Sequence, residues 1–309
     1  MPSASNASRW LDAAQTAAAL PYAPLAAEIA RLLHDDSVRV PPRLVLPLSG
    51  GASLIVMPAN DSRIAITKLI TFTPANAGSG RATIQGDVIV FDVATGERSL
   101  VLHGPTVTAR RTAAVSLLAA QLLAPSPGGP LLVVGAGVQG RAHVEAFAQG
   151  LHVARVLIAS RNDESAQALA THARSLGLQA DVTRDPNAAL ADCPLAVTCT
   201  PAREIVLDGA PRDDAFIAAV GAFTPDMAEV GTAMCRHFAE YGSVVLDSAD
   251  ARHEAGDLLQ AGLDVARFAT LAEMSSRPRG QRAGMPVLFK NCGQAGWDLA
   301  AARLALGSA

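Results

Sequence analysis

Five apolar runs, separated by segments with helical spacing, dominate the chain from residue 131 onwards. They are LLVV at 131–134, VLIA at 156–159, LAVT at 195–198, FIAA at 216–219 and SVVL at 243–246. Buried parallel strands are unbroken apolar runs, and a helix usually joins consecutive parallel strands. The pattern therefore predicts a doubly wound α/β architecture, in which helices cover both faces of a parallel sheet.

The first third of the chain mixes helical and extended patterns. Apolar spacing predicts helices over 12–20 and 24–34. Runs rich in Val, Ile and Leu lie between the turn signals SGG, AND and ATGE, and they predict strands over 43–48, 53–57, 64–72 and 88–92. Short strands joined by tight turns indicate an antiparallel α+β unit.

Two alanine-rich segments predict further helices. Thr106 is a suitable N-cap for the helix TARRTAAVSLLAAQLLA, which stops at PSPGGP, and this stretch is the clearest boundary in the chain. The segment VLFKNCGQAGWDLAAARLAL predicts a last helix. We expect this helix to pack on the first domain or against the cofactor cleft.

The composition narrows the class of protein. A chain of 309 residues that is 50% hydrophobic and 17% charged is large enough for two domains. A net charge of -3 with scattered Lys and Arg argues against nucleic acid as a partner, and the apolar runs fall short of the roughly 20 residues of a membrane span. The cysteines lack C-x-x-C spacing and the histidines lack H-x-x-x-H spacing, so we expect reduced thiols, a cytoplasmic location and no metal.

A glycine-rich loop follows the first apolar run. GAGVQG at 135–140 stands between LLVV and the helical segment RAHVEAFAQ. In a Rossmann unit Gly135 would permit the tight turn, Gly137 would let the backbone approach the pyrophosphate, and Gly140 would let helix and strand pack closely. The spacing predicts a dinucleotide site, with a purely structural glycine loop as the alternative.

The second predicted strand ends in Ser160, Arg161 and Asn162. An NAD-specific site usually has a carboxylate here, which would repel a 2′-phosphate, whereas Ser160 and Arg161 can donate hydrogen bonds to one. NADP(H) is therefore favoured, and NAD(H) is possible. In the alternative interpretation Arg161 is a solvated charge and Asp163 binds the ribose.

Several segments, in order along nearly the whole chain, carry a family resemblance. They are PPRLVLP around Arg43, ITKLITF around Lys68, TIQGDVIVFD from Thr83, TARRTAA around Arg111, VVGAGVQGRAH, EAGDLL and LFKNCGQAGWDLAAA. With them the sequence resembles the ornithine cyclodeaminase and mu-crystallin family. The resemblance implies a homodimer, with a Rossmann domain at 113–286 inserted into an α+β substrate and dimerisation domain at 1–112 and 287–309.

The resemblance also implies site residues. Arg43, Lys68 and Arg111 would hold the carboxylate of an amino-acid-like substrate facing the nicotinamide, and Thr83 would contact cofactor or substrate. A guanidinium can grip a carboxylate bidentately, and a lysine supplies a point charge. The other residues implied to line the dinucleotide are Val138, Gln139, Thr200, Val220, Gly221, Ala222, Phe223 and Asn291.

Each proposed substrate cation has a structural alternative. Arg43 could begin a strand, Lys68 could extend from a sheet to water, and one arginine of the pair Arg110 and Arg111 is expected to face solvent. Lys68, inside the apolar run IAITKLITF, is the least surface-like of them and the strongest candidate.

One position departs from the ornithine cyclodeaminases. In those enzymes an aspartate after the fifth Rossmann strand handles the substrate amine, in a pattern like G-G-D-x-P-G-K. The matching stretch here is GAFTPDM at 221–227, with Phe223 in place of that aspartate. A phenyl ring cannot transfer a proton, so cyclodeamination is disfavoured. Asp226 is either a second acid/base candidate or a helix-start residue.

These features predict an NADP-preferring reductase that acts on cyclic imino acids. It would convert Δ1-pyrroline-2-carboxylate to L-proline and Δ1-piperideine-2-carboxylate to L-pipecolate, with hydride passing from the nicotinamide to the imine carbon. Lys68, Asp226, ordered water or the solution would supply the proton. The alternatives are an alanine or other amino-acid dehydrogenase, ornithine cyclodeaminase, and a non-catalytic, crystallin-like nucleotide-binding protein.

Overall fold

The chain folds into two units, which we describe separately. The computed structural model describes residues 8–76, 79–201, 204–278 and 284–307. The first unit consists of Met1–Arg111 and Gln294–Ala309, and the second consists of Thr112–Gly293.

A mostly antiparallel sheet forms the first unit. Its strands within the described ranges are β1 (Arg9–Leu11), β2 (Leu44–Pro47), β3 (Ser53–Asn60), β4 (Ile64–Phe72), β5 (Ile84–Asp92) and β6 (Arg98–His103). Their order is β1-β6-β5-β4-β3-β2, and β1 pairs in parallel with β6. The helices are α1 (Ala13–Ala19), α2 (Tyr22–Leu32), the start of α3 (Gly104–Leu123) and the last helix, α11 (Ala295–Gly307), with 3-10 turns at Ser49–Gly51 and Pro74–Asn76. The predicted α+β unit is confirmed.

The alternation of β4 makes one of its faces part of the core. Ile64, Ile66, Lys68 and Ile70 are buried, and the residues between them are more exposed. Side chains alternate along a strand, so this pattern fixes which face packs against α11. Lys68 therefore enters the core of the first unit.

A parallel sheet forms the second unit. In the part of the chain that is described, its strands are β7 (Leu131–Val134), β8 (Arg155–Ala159), β9 (Gln179–Val182), β10 (Leu195–Thr198), β11 (Phe216–Ala219), β12 (Ser243–Leu246), β13 (Ala269–Thr270) and β14 (Val287–Lys290). Their order is β13-β12-β14-β11-β10-β7-β8-β9. The helices are α4 (Val138–Leu151), α5 (Asp163–Ser175), α6 (Pro186–Ala189), α7 (Thr232–Tyr241), α8 (Ala251–Glu254), α9 (Gly256–Gln260) and α10 (Leu271–Ser275), with a 3-10 turn at Val265–Arg267.

The position of β7 defines where a dinucleotide would bind. β7 lies between β8 and β10 and pairs with both in parallel. Doubly wound sheets bind dinucleotides at this switch point, outside the carboxyl ends of the strands. The predicted Rossmann architecture is confirmed. None of the helices in the described ranges combines the length and hydropathy that a membrane span needs.

The segment VLFK is a strand, so the prediction that it begins the last helix is wrong. All four residues of Val287–Lys290 are buried, and they pair in parallel with β11 and β12. Residues 287–293 therefore belong to the second unit, and the predicted boundaries after 112 and 286 move to Arg111 and Gly293. A short apolar run fits a buried strand as well as a helix, and the pattern alone could not separate them.

Thr106 is not the N-cap that the sequence predicts. α3 begins two residues earlier, at Gly104. Thr106 Oγ1 instead lies 2.8 Å from His103 Nδ1. The hydroxyl is used in a local side-chain contact inside the first turn of the helix.

Candidate active site

A buried ion cluster joins three elements of the first unit. Lys68 Nζ on β4 lies 2.8 Å from Asp298 Oδ2 on α11, and Arg111 Nε at the end of the unit's part of α3 lies 3.4 Å from Asp298 Oδ1. The three side chains are at most 8% exposed. Two cations facing one carboxylate leave an excess positive charge away from water. Such a place suits a small anionic ligand.

Burial changes the basicity of Lys68. It lowers the pKa of Lys68 to about 8; Asp298 opposes the change, and Arg111 and Arg43 add to it. Arg43 is half-buried directly before β2, close enough to act on Lys68 electrostatically. The structure thus brings Lys68 and Arg111 together on Asp298, and Arg43 acts on Lys68 electrostatically. The alternative in which Lys68 extends to water is wrong, because its side chain is 1% exposed.

We expected the other arginine of the pair to face solvent, but its side chain makes contacts within the protein. Arg110 Nε donates a hydrogen bond to Leu20 O at 2.6 Å, and its guanidinium lies over the ring of Tyr22, 4.1 Å from the centroid. Arg110 is half-buried. It therefore ties α3 to the α1–α2 segment through a cation–π contact.

Thr83 does not join this cluster along the sheet. The β4–β5 register pairs Lys68 with Val88 and Phe72 with Ile84. Thr83 lies beyond the end of that ladder, about 16 Å along the chain direction from the position opposite Lys68. Its carbonyl accepts a hydrogen bond from Thr73 N at 2.8 Å.

The glycine-rich loop after β7 fits a pyrophosphate. Gly135 has a φ of +115°, and a Cβ there would lie 2.8 Å from Cys199 O; a Cβ on Gly140 would overlap Gly135 O. A Cβ on Gly137 would meet nothing within 4 Å in the described structure, so that side of the loop is open. Gly137 is also the N-cap of α4 and makes no side-chain cap hydrogen bond, which leaves the first N–H groups of α4 for an anion.

The end of β8 carries the predicted ribose-side residues. Arg161 is exposed, and Ser160 Oγ accepts a hydrogen bond from Asn162 N at 3.3 Å. The Asn162 side chain caps α5. Asp163, the alternative ribose ligand, forms an ion pair with Arg184 at 2.8 Å. Asn162 and Asp163 are thus already engaged within the protein.

A buried carboxylate holds the loops that follow β10 and β11. Glu229 Oε1 accepts hydrogen bonds from Thr200 N at 2.5 Å and Thr200 Oγ1 at 2.8 Å. Glu229 Oε2 accepts from Thr198 Oγ1 at 3.1 Å, Gly221 N at 2.5 Å and Ala222 N at 3.2 Å. Three of the predicted dinucleotide residues are therefore fixed by one side chain that the sequence reasoning missed.

Glu229 belongs to a larger buried charge cluster. Lys290 Nζ, at the end of β14, lies 2.5 Å from Asp257 Oδ2, and Asp257 Oδ1 accepts hydrogen bonds from the backbone N–H groups of Glu229 and Val230. Burial alone would raise the pKa of Asp257, but Lys290 and these donors lower it below its usual value. Burial raises the pKa of Glu229, and Lys290 and Thr200 oppose that rise.

The remaining predicted dinucleotide residues differ in exposure. Val138 is 71% exposed at the start of α4 and Phe223 is 36% exposed, whereas Val220 and Ala222 are buried and Gln139 is half-buried. Val138, at the open loop, and Phe223, after β11, therefore present exposed apolar side chains.

Asn291 is more deeply engaged than the sequence suggests. Its Nδ2 donates hydrogen bonds to Thr112 O and Ser116 Oγ, both at 3.3 Å. Ser116 Oγ lies 3.0 Å from His143 Nε2, and His143 Nδ1 lies 2.8 Å from Gln139 O. Burial lowers the pKa of His143 to about 4, so this histidine is neutral and structural.

Asp226 lies in a surface turn. It is exposed, and it accepts a hydrogen bond from Thr224 Oγ1 at 2.6 Å. The alternative reading as a helix-start residue is wrong, because α7 begins at Thr232 with Gly231 as its cap.

Two of the four residues that the sequence reasoning missed, Asp298 and Lys290, share one signal. Asp298 and Lys290 are single charges within otherwise apolar stretches, WDLAAA and VLFK, and Glu229 and Asp257 lie in the short stretches MAEVG and EAGDLL. All four side chains are buried. The same signal singled out Lys68, and applied to every element it would have found Asp298 and Lys290. In the described residues, no group of three or more His, Cys, Asp or Glu side chains is arranged to hold a metal ion.

Comparison with known proteins identifies the family of the chain. The model of the ornithine cyclodeaminase/mu-crystallin family matches residues 17–308. The chain is 41% identical over 302 residues to a Δ1-pyrroline-2-carboxylate reductase of Burkholderia multivorans, covering 95% of this chain and 94% of that protein. It is 38% identical to a Δ1-pyrroline-2-carboxylate/Δ1-piperideine-2-carboxylate reductase of Azospirillum brasilense, with the same coverage. The structure of a Thermococcus litoralis Δ1-pyrroline-2-carboxylate reductase with NADH and L-proline superposes with a TM-score of 0.83 at 23% identity, covering 96% of this chain and 93% of that one.

Proposed function

The chain belongs to the ornithine cyclodeaminase/mu-crystallin family, and we propose that it is a nicotinamide-dependent reductase of cyclic imino acids. Its substrates are Δ1-pyrroline-2-carboxylate, which gives L-proline, and Δ1-piperideine-2-carboxylate, which gives L-pipecolate. The observation that carries the proposal is the buried cluster of Lys68, Arg111 and Asp298, with its excess positive charge. The names of the two bacterial relatives support the substrate class.

Within this proposal, the cations of the first unit bind the substrate carboxylate. Arg111 and Arg43 supply guanidinium donors, and Asp298 orients Lys68 and Arg111 so that less entropy is lost on binding. The bound nicotinamide supplies the hydride for the imine carbon. Lys68 Nζ gives the proton to the imine nitrogen and regains one from water, since a pKa of about 8 lies close to neutral pH. Asp226 is the second candidate donor, but it lies in a surface turn, so we place the step at Lys68.

The preferred cofactor is NADP(H). The loop of Gly135, Gly137 and Gly140 would hold the pyrophosphate, and Ser160 and Arg161 would bind the 2′-phosphate. Two observations support this assignment: Arg161 is exposed at the end of β8, and Asp163 is paired with Arg184. NAD(H) is the alternative cofactor.

The proposal includes a homodimer and a cytoplasmic location. The outer face of the first unit's sheet exposes apolar side chains, which a second copy of the chain would cover. The four cysteines are free and buried, as suits a reducing compartment.

The test is a direct assay of the purified protein with NADPH or NADH and either cyclic imine. We expect rapid oxidation of NADPH, slower oxidation of NADH, and formation of proline or pipecolate in equal amount. Pyruvate with ammonia tests the amino-acid dehydrogenase, and ammonia release from ornithine tests the cyclodeaminase, which Phe223 disfavours. Oxidation with neither imine would refute the proposal, and nucleotide binding without turnover of any substrate would indicate the non-catalytic protein.

A further inference from the structure

The buried cluster of Glu229, Asp257 and Lys290 contains two carboxyl groups and one ammonium group. Lys290 forms a close ion pair with Asp257, so the charge of Glu229 has no cation of its own among the three. Backbone N–H groups of Thr200, Gly221 and Ala222 donate to the Glu229 carboxylate. Such donors favour the ionised form of a buried carboxyl group, and they hold it in one place.

The cluster lies at a particular end of the sheet. Thr200 follows β10, Gly221 and Ala222 follow β11, and Lys290 ends β14, so the cluster is at the carboxyl ends of three adjacent strands. In a doubly wound sheet the pyrophosphate binds at the β7 loop and the adenosine ribose at the end of β8. The nicotinamide half would therefore extend over the opposite side, towards β10, β11 and β14.

We propose that the Glu229 carboxylate favours the oxidised over the reduced form of the bound nicotinamide. This inference rests on the proposed function. The oxidised ring carries a positive charge that the reduced ring lacks, and loss of hydride creates that charge. A fixed negative charge at this end of the sheet stabilises the cation, and a low-dielectric interior strengthens the effect. Glu229 thus makes the bound cofactor a stronger hydride donor, besides fixing the two loops.

The experiment measures dissociation constants for the oxidised and the reduced cofactor by calorimetry, without substrate. In Glu229→Gln, the ratio of the constant for NADP+ to that for NADPH should rise about tenfold, the order of effect expected for a unit charge that acts at an effective dielectric of about 20. For a two-electron couple, a tenfold change in this ratio corresponds to a shift of about 30 mV in the reduction potential of the bound cofactor. Thr198→Val is the matched control, because it removes one hydrogen bond to Glu229 and keeps the charge. Thr198→Val should raise both dissociation constants by the same factor, so that their ratio stays unchanged.

The outcomes separate the two proposals. If the wild type binds neither NADPH nor NADH, the proposed function fails. If it binds them and the ratio in Glu229→Gln stays within about twofold of the wild-type ratio, the role of Glu229 is refuted while the function stands. Should Glu229→Gln not fold, Asp257→Asn removes the same unit of charge and keeps an oxygen for the N–H groups of Glu229 and Val230. The ratio should then rise in the same direction, and an unchanged ratio would refute the role.

Discussion

Lys68 lies on the face of β4 whose other side chains form the core. A buried ammonium ion is costly unless it is paired, and Asp298 provides the partner at 2.8 Å. The pair still leaves the nearby guanidinium of Arg111 in excess. A cluster that needs one more anion to be neutral suits a carboxylate, and this is why we propose these residues as the substrate-binding site.

The ionisation of Lys68 predicts a pH profile. Its pKa is lowered to about 8, so the protonated form predominates below that pH and is lost above it. We expect wild-type kcat/KM, which reports the free enzyme, to fall as the pH rises through about 8. Lys68→Met should lower kcat/KM about 100-fold, because it removes a charge-assisted contact.

Lys68→Arg is the matched variant for this profile. Arginine keeps its charge at all accessible pH values, so the alkaline fall should disappear even where the absolute rate is lower. An identical alkaline fall in Lys68→Arg would assign the titration to the substrate imine or to another group. Wild-type activity in Lys68→Met would contradict the substrate-binding role.

Single residues show what the sequence can and cannot predict. Lys68 and the three loop glycines are visible because each breaks a local pattern: a charge in an apolar strand, and glycines at fixed spacing after a strand. Glu229 gives no comparable signal. Its role depends on contacts with Thr200, 29 residues away, and with Gly221. Partners across a fold have no local pattern, and a single sequence does not reveal them.

Helices and strands, like single residues, are predictable from the sequence only where they have a strong local pattern. β4 and β7 are predicted with their observed bounds, because strict alternation and an unbroken apolar run are strong signals. β1 and β9 are edge strands with polar residues, and they carry too little apolar pattern to be recognised. β14 lies between β11 and β12 although it is last in the chain. Strand order is a property of the assembled sheet, so the sequence alone misplaced the second boundary.

In the loop between β7 and α4 we expect Gly140 to be structural and Gly137 to face the ligand. Gly137→Ala places a methyl group where nothing lies within 4 Å, so the fold should keep its stability to within about 1 kcal/mol. The methyl group would occupy the space of the pyrophosphate, and the dissociation constant for NADPH should rise about tenfold. Gly140→Ala, the comparison variant, overlaps Gly135 O and should cost about 2 kcal/mol of unfolding free energy. Denaturant titration and nucleotide titration check both; normal NADPH affinity in Gly137→Ala would rule out this loop as the pyrophosphate site.

At the scale of the whole molecule, the outer face of the first unit's sheet exposes apolar side chains that a single chain does not cover. The strand register aligns Leu44, Val56 and Leu69 in one row, on the face opposite Lys68. Leu44 is 52% exposed and Leu69 is 40% exposed, and the edge strand β2 also exposes Val45 and Leu46. Contiguous apolar surface on an edge strand invites pairing with another chain unless something covers it.

We propose that a second copy of the chain covers this apolar face. A charged substitution in the row tests the proposal. Leu69→Lys places an ammonium group at the β4 end of the apolar row, where burial in a dimer would remove it from water. We expect sedimentation to give a dimer for the wild type and a monomer for Leu69→Lys. Leu176→Lys is the control, since Leu176 is 41% exposed at the end of α5 and belongs to the second unit, and this variant should stay dimeric. A monomeric wild type, or a dimer that survives Leu69→Lys, would show that this face is not the interface.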